Sequence, residues 1–400
     1  MKKDLIIMGA FDRYNYGDLL FPIFLIKYIE LYRPDVIKNY NEIIPVALEN
    51  KDFTNVGGIS TLAWKELKIN VSKDIIVAGG DVLGATVSGL YMDSLDSYTE
   101  LLKAKIIRKY ISKNHINRKA IKKFNIDNNF PYIPVPEKSN VNNIVYNSVS
   151  GSEFITGTME EKKKNIILDR LSKSTYVSNR DSSTFEALKK QGIDVNLAPD
   201  SATIMSELFP VNTLKKLVNS EILSNTEEKE YIVFQFGYWK VRNSIEELVG
   251  QIEEISLKDN VEIVLLPVGF ASNHDDLIAL KKVSRKLKIK HHLYENVSIW
   301  DIMYIIGNAK FFFGTSLHGN ITAMSYGIPH IGLSEKIVKL DKYLNTWSIY
   351  PFNNNIKFGD ISSFYYMNKD FDNVLLKKNA KRLNELVHNN YKKLFNALML

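Results

Sequence analysis

The sequence predicts an α/β protein with two Rossmann-like domains facing each other across a cleft, and three observations carry that prediction. Short apolar runs rich in β-branched and aromatic residues alternate with longer amphipathic runs, the pattern of parallel sheets with helical crossovers. Examples are "DLIIMGA" before "LLFPIFLIKYIELY", "DIIVAGG", "STYVSNR" before "STFEALKKQG", then "YIVFQFG", "VEIVLLPVG" and "AKFFFGT". The alternation occurs twice: one series runs to about Ser201, a polar stretch "FPVNTLKKLVNSEILSNTEEKE" follows, and a second begins at Tyr231. Finally, 400 residues, 45% of them hydrophobic and 24% charged, supply enough chain for two cores. The expected division is 1–205 for the first domain, 206–375 for the second, and a helix over 376–400 that crosses back onto the first.

In order along the chain, "GAFDRYNYGDLLFPIFL" takes a strand through a loop into a helix starting near Gly17 and Asp18. Backbone amides at that helix start suit an anion, and Asn15 offers an amide to a sugar or phosphate oxygen. The structural alternative is that Asn15 and Asp18 shape the turn and cap the helix. The loop is no dinucleotide fingerprint, because G-x-G-x-x-G is missing. "DIIVAGGDVLG" ends the next strand in Gly79 and Gly80, followed by Asp81, and paired glycines there let a ligand approach the backbone.

An insertion is expected over about 91–145. It carries nine Lys or Arg between Lys103 and Lys123, with Leu102, Ile106, Tyr110 and Ile107, Ile111 at helical spacing. A basic amphipathic helix of this kind either packs its stripe on the domain or rests on an anionic membrane surface. "NNFPYIPVPEKSN" after it reads as an irregular connection, since its prolines block helix. "YVSNRDSSTFEALKKQGIDVNLAPDSATIM" then places Arg180 and Asp181 at a helix start and Asp200 at the next strand end. Arg180 suits bidentate contact with a carboxylate or phosphate, and Asp200 suits orienting it or a sugar hydroxyl.

In the second series, "KFFFGTSLHGNITAMSYGIPHIGL" runs a buried strand through a tight turn into a helix, with His318 in the first helical turn. Strand ends that open into helix N-termini are where anionic ligands bind in such sheets. The other six histidines carry no assigned role.

Composition sets the limits. The formal charge of +7, from 52 basic and 45 acidic residues, is too diffuse for a nucleic-acid partner and fits anionic small substrates or an acidic membrane surface. With no cysteine, disulfides, thiolate metal sites and cysteine nucleophiles are excluded. No compact metal-ligand cluster, Walker loop or G-x-S-x-G elbow occurs, so no metal is expected. The start has too short an apolar run for a signal peptide, and no window reaches the roughly 18 apolar residues of a membrane span. The expectation is a cytoplasmic protein, with peripheral contact at the inner face of the cell membrane through 103–123 and homo-oligomerisation left open.

Taken in this order, "NYGD", "AGGDVLG", "SNRDSSTFEALKKQG", "PDSA" and "SLHGNITAMSYGIPHIGLS" resemble the polysaccharide pyruvyl transferase family over roughly residues 8 to 345. The resemblance implies a GT-B-like fold and a transferase of exopolysaccharide, capsule or cell-wall assembly. It implies transfer of a pyruvyl group from phosphoenolpyruvate to a nucleotide- or lipid-linked sugar, giving a cyclic ketal, with no cofactor beyond that co-substrate. By the same resemblance His318 is the acid that protonates the methylene carbon, an anionic substrate beside it favouring its charged form. Arg180 clamps the anion with Lys336 or Lys339, and Ser316 and Gly319 flank the histidine. Where the family reads Arg-Leu-His this chain has Ser316-Leu317-His318, so either Arg13, Lys240 or Arg242 substitutes for the missing cation or the donor has changed. Two other readings are a glycosyltransferase with a nucleotide-sugar donor and a silent glycan-binding or assembly protein.

Overall fold

A computed structural model describes residues 2–68, 70–95, 98–110, 113–126, 128–135, 140–152, 159–270 and 276–399. The first sheet holds β1 (Lys3–Met8), β2 (Tyr40–Ala47), β3 (Lys51–Asp52), β4 (Ser60–Ala63), β5 (Lys73–Val77), β6 (Val141–Val149), β7 (Tyr176–Asn179) and β8 (Asn196–Leu197). Its order is β3-β4-β2-β1-β5-β6-β7-β8, parallel except where β3 meets β4. The second sheet holds β9 (Tyr231–Gln235), β10 (Glu262–Leu265), β11 (His291–Leu293), β12 (Phe311–Gly314), β13 (His330–Leu333) and β14 (Asn355–Ile356). Its order is β11-β10-β9-β12-β13-β14, parallel throughout.

Both sheets reverse direction about a central strand. In the first, the chain builds outward from β1 on one side and returns to place β5 on the other; in the second, β12 returns to the free side of β9. Such reversals leave a crevice between the diverging loops at the strands' carboxyl ends, where ligands of open α/β sheets bind. β1, β5, β9 and β12 are buried over nearly their whole length, which is why they read as continuous apolar runs. The helix Tyr16–Tyr32 is apolar nearly all round because it is buried on almost every side, from Tyr16 to Ile29.

One core cluster spans the two domains, uniting Leu5 and Phe24 with Phe312 and Met324 and with Tyr391 and Leu394 of the helix Asn373–Met399. That helix leaves the second domain and lies against the first: Asn390 Nδ2 donates to Asn147 Oδ1 at 2.8 Å, and Tyr176 Oη donates to Asn390 Oδ1 at 2.8 Å. Its Leu383, Val387, Tyr391, Leu394 and Leu398 form the buried stripe, each contributing about 1.5–3 kcal/mol relative to exposure. Trp347 Nε1 donates to the Arg180 carbonyl at 2.7 Å, and Ser325 Oγ donates to the Thr203 carbonyl at 2.7 Å. The two halves of the cleft are therefore held in fixed relation.

The basic insertion differs from the sequence reading. It forms two helices, Tyr98–Tyr110 and Lys113–Phe124, and Ile111 lies outside the described residues. Leu102 and Ile106 face solvent, at 41% and 56% exposure, while Ala104 is buried and Ile107 packs on the same small cluster. The second helix buries Ile116, Ala120 and Phe124, spaced by four. The stripe belongs to the second helix, whose Ala120 and Phe124 join the core of the first sheet. Among the described residues no helix is long and apolar enough to cross a membrane.

Candidate active site

A cavity of about 260 Å³ lies where the two switch points meet. Ala10, Asn15 and Gly80 come from the loops after β1 and β5, and Gln235, Lys240, Ser316 and His318 from β9, β12 and the turns after them.

His318 is in the first turn of the helix Leu317–Tyr326, capped by Ser316, whose Oγ accepts from Gly319 N at 3.3 Å. The Ser316 N–H donates to Gln235 Oε1 at 2.7 Å, which ties the turn to β9. The imidazole packs edge-on against Phe21, centroids 5.6 Å apart. Its Nε2 is sealed from solvent without a hydrogen-bond partner and sits 3.6 Å from Asp200 Oδ2, too far for a hydrogen bond but close enough to feel the charge. Nδ1, packed over Gly17, is not sealed in this way, and the side chain lines the cavity.

Asp200 is fully buried beneath this ring. Its Oδ2 accepts from Arg180 Nη1 at 2.7 Å and its Oδ1 from Ala202 N at 2.9 Å. Burial alone would raise this carboxyl; His318, Arg180 and the Ala202 N–H outweigh it and hold it at about 2. Arg180, itself 3% exposed, lines the cavity above.

Six of the expected site residues are placed outside the cavity lining. Asp200 is sealed behind Arg180 and His318. Asp181 caps the helix Ser182–Lys189, accepting from Thr184 N at 2.7 Å, Thr184 Oγ1 and Ser150 Oγ, so its oxygens are taken. Gly79, with φ of +93°, lies against Phe21, and a Cβ on Gly319 would meet Phe312 at 2.5 Å; both are packing positions. Lys336 lies on a neighbouring hollow. Gly17 leaves space for His318: a Cβ there would come 1.9 Å from Nδ1. Gly17→Ala is expected to displace the imidazole and cost about 1–3 kcal/mol of stability. A urea midpoint unchanged from wild type would mean the ring has room to move.

Asn15, Asp18, Gly80, Asp81, Ser316 and Lys339 do line the cavity with Arg180 and His318. Asn15 occupies the helix N-cap position but makes no capping bond, so its amide is open to the cavity. Asp18 is held by Arg13 Nε at 3.2 Å, and Arg13 Nη1 also donates to Asp93 at 2.9 Å. Arg13 is thus a neutralised cation. Asp81 accepts from Ser152; burial would raise it, but Lys339 and that hydroxyl keep it below the usual carboxylate range. Arg242 lies on the neighbouring hollow, against Trp239.

Sequence reading missed Asp276 and Gln235. Asp276 is buried and takes three bonds on one oxygen, from Gln235 Nε2 at 2.7 Å and from Val268 N and Gly269 N at 2.9 Å, with Oδ1 left over. Burial raises it to about 6 despite those bonds. Lys240 Nζ donates to the Thr315 carbonyl at 3.0 Å; burial, then Lys339, bring it down to about 8. Gln235 was findable as the polar residue ending an apolar strand. Among the described residues no cluster of three or more His, Asp or Glu could hold a metal ion.

Two doubly wound domains with a polar cavity between their switch points define a GT-B-like protein. Solved structures agree: the chain is similar to MnaA of S. aureus with UDP (TM-score 0.56, 12% identity, covering 100% of this chain and 98% of that one). It is also similar to UDP-GlcNAc 2-epimerase of Neisseria meningitidis bound to UDP-GlcNAc (0.53, 11%, 99% and 100%) and to HepE of Anabaena with UDP-glucose (0.52, 8%, 100% and 100%). The chain matches no curated protein. The polysaccharide pyruvyl transferase model matches residues 12–336, and the chain belongs to that family of transferases.

Proposed function

We propose that the protein transfers a pyruvyl group from phosphoenolpyruvate to a sugar of a cell-surface polysaccharide or its nucleotide- or lipid-linked precursor, forming a cyclic ketal. The observation that carries this reading is His318 lining the cavity beside a buried Arg180–Asp200 pair. Phosphoenolpyruvate lies in the cavity, its anionic groups toward Arg180, Lys240 and Lys339. Lys240 replaces the cation missing at Ser316, since Arg13 is neutralised and Arg242 lies outside.

His318 gives a proton to the methylene carbon, which becomes a methyl group and leaves C2 electron-poor. One sugar hydroxyl adds to C2, the bond from C2 to the phosphate oxygen breaks with its electron pair leaving on phosphate, and a second hydroxyl closes the ring. Of the two hydroxyl protons, one restores His318 and the other leaves on phosphate. Asp276 Oδ1 takes the proton of the first hydroxyl and passes it to the departing phosphate, the proton of the second restores His318, and the Asn15 amide holds a sugar oxygen. Exposed Leu102 and Ile106 among basic residues support peripheral contact with a membrane that carries the acceptor.

Phosphate release that requires both phosphoenolpyruvate and a sugar acceptor tests the reading. A thermal-shift titration adds the binding step, since a ligand of the folded state raises the melting temperature. The charge balance of the cavity, in which four cations face three carboxylates and Asp200 behind Arg180 evens the count, favours a neutral sugar ligand as the alternative. Stabilisation by nucleotide sugars with none by phosphoenolpyruvate would turn the scaffold to glycosyl transfer. Sugar binding without any turnover would make it a silent glycan-binding protein.

The state of Lys240 gives a pH dependence. With Lys240 at about 8, its charge is present below that pH and lost above it, so phosphoenolpyruvate affinity is expected to fall as pH rises through 8. Lys240→Arg is expected to remove the fall. Titrations on either side of that pH check it, and a flat profile in the wild type would exclude Lys240 from the donor site.

A further inference from the structure

The cavity that holds His318 has room for phosphoenolpyruvate and one sugar edge, not for the carrier of an activated sugar. Lys240 and Lys339 are shared between it and an outer hollow of about 840 Å³, lined by the second domain and by Ser152 of the first, within the range of sites that enclose small-molecule ligands. Arg242, Lys336 and Lys357 also line that hollow, giving five cations against two carboxylates, Glu247 and Glu335.

None of the five cations has a carboxylate within ion-pair distance among the described residues. Elsewhere in the same domain Lys258, Lys281, Lys286, Lys290 and Lys310 each hold a glutamate within 2.6–2.8 Å. Five like charges converging on one hollow repel one another, and Lys339 already opposes the charge on Lys240. An arrangement of this kind is stabilised by a polyanion that takes several of the cations at once.

We propose that the outer hollow binds the diphosphate of a glycosyl diphosphate acceptor, whose sugar passes Lys240 and Lys339 to reach His318. This rests on the pyruvyl-transfer reading above. The diphosphate is common to nucleotide-linked and polyprenyl-linked sugars, and the two differ only in what lies beyond it. Lys336 and Lys357 line the outer hollow alone, so they separate acceptor from donor binding.

The test is calorimetric titration of the wild type and of Lys336→Gln/Lys357→Gln with inorganic pyrophosphate, UDP, farnesyl diphosphate and phosphoenolpyruvate. The expected result is pyrophosphate binding to the wild type that weakens at least about tenfold in the double variant, two charge-assisted contacts being lost. Phosphoenolpyruvate affinity is expected to stay the same in both. Tighter binding of UDP than of pyrophosphate supports a nucleotide carrier, and tighter binding of farnesyl diphosphate a lipid one. A wild type that binds no diphosphate, or a variant that keeps it, overturns the proposal while leaving pyruvyl transfer standing. A variant that loses phosphoenolpyruvate as well also overturns it, because the hollow then holds the donor's phosphate. Diphosphate binding lost in the variant, with no phosphoenolpyruvate binding in the wild type, supports the hollow and sinks the donor instead.

Discussion

His318→Gln is expected to lower turnover by about 10²–10⁴-fold, the range contributed by a positioned general acid, while the protein stays folded. The imidazole makes no hydrogen bond through its buried Nε2, and Asp200 beneath it keeps its bonds from Arg180 and Ala202 N when the ring is lost. What it removes is the proposed proton donor, the imidazole packed over Gly17. Pre-steady-state assay of phosphate release, with the melting temperature as a control for folding, checks this. Retained turnover in a folded variant would take His318 out of the mechanism.

Arg180→Ala is expected to act first on the fold. Asp200 is fully buried and its pairing with Arg180 at 2.7 Å lies within the core that joins the domains. Removing one partner of a buried pair leaves an uncompensated charge and costs about 3–5 kcal/mol. Denaturant unfolding measures it. An Arg180→Met/Asp200→Leu variant, which removes both charges, is expected to regain most of the stability without regaining activity. A small loss in the single variant would mean that Asp200 finds another partner.

The same pair sets an acid dependence. Asp200 is held at about 2 in the folded protein against 3.8 in an ordinary carboxyl, so the folded state binds this proton less readily than the unfolded one. The stability it contributes is fully present above about pH 4 and is lost as pH falls through 2. Arg180→Ala therefore also reports poorly on donor binding: a lost thermal shift there would mix stability with affinity. Lys240 variants separate the two, because among the described residues Lys240 Nζ bonds only the Thr315 carbonyl.

Much of the frame was legible. The apolar runs at β1, β5, β7, β9, β10 and β12, and the placing of His318 between a buried strand and a helix start, follow from short-range periodicity and turn chemistry. The pairing of residues far apart was not. That Arg13 spends its charge on Asp93, and cannot stand in for the cation missing at Ser316, depends on where the helix Val87–Asp93 comes to rest. Gly17 read as an anion-binding amide, and its contact with His318 arises across the interface between domains.

The sequence by itself determined the doubled alternation of strands and helices and which polar residues stand at strand ends, because each is set by neighbours within a few turns. Only the tertiary structure decided which of those residues meet. The order of parallel strands brings β1 beside β5 and β9 beside β12. The interdomain core then fixes Asp200 under His318 and leaves Asp276 and Lys240 in the cavity. Contacts between residues hundreds of positions apart depend on sheet order and burial, and no local pattern in the chain encodes them.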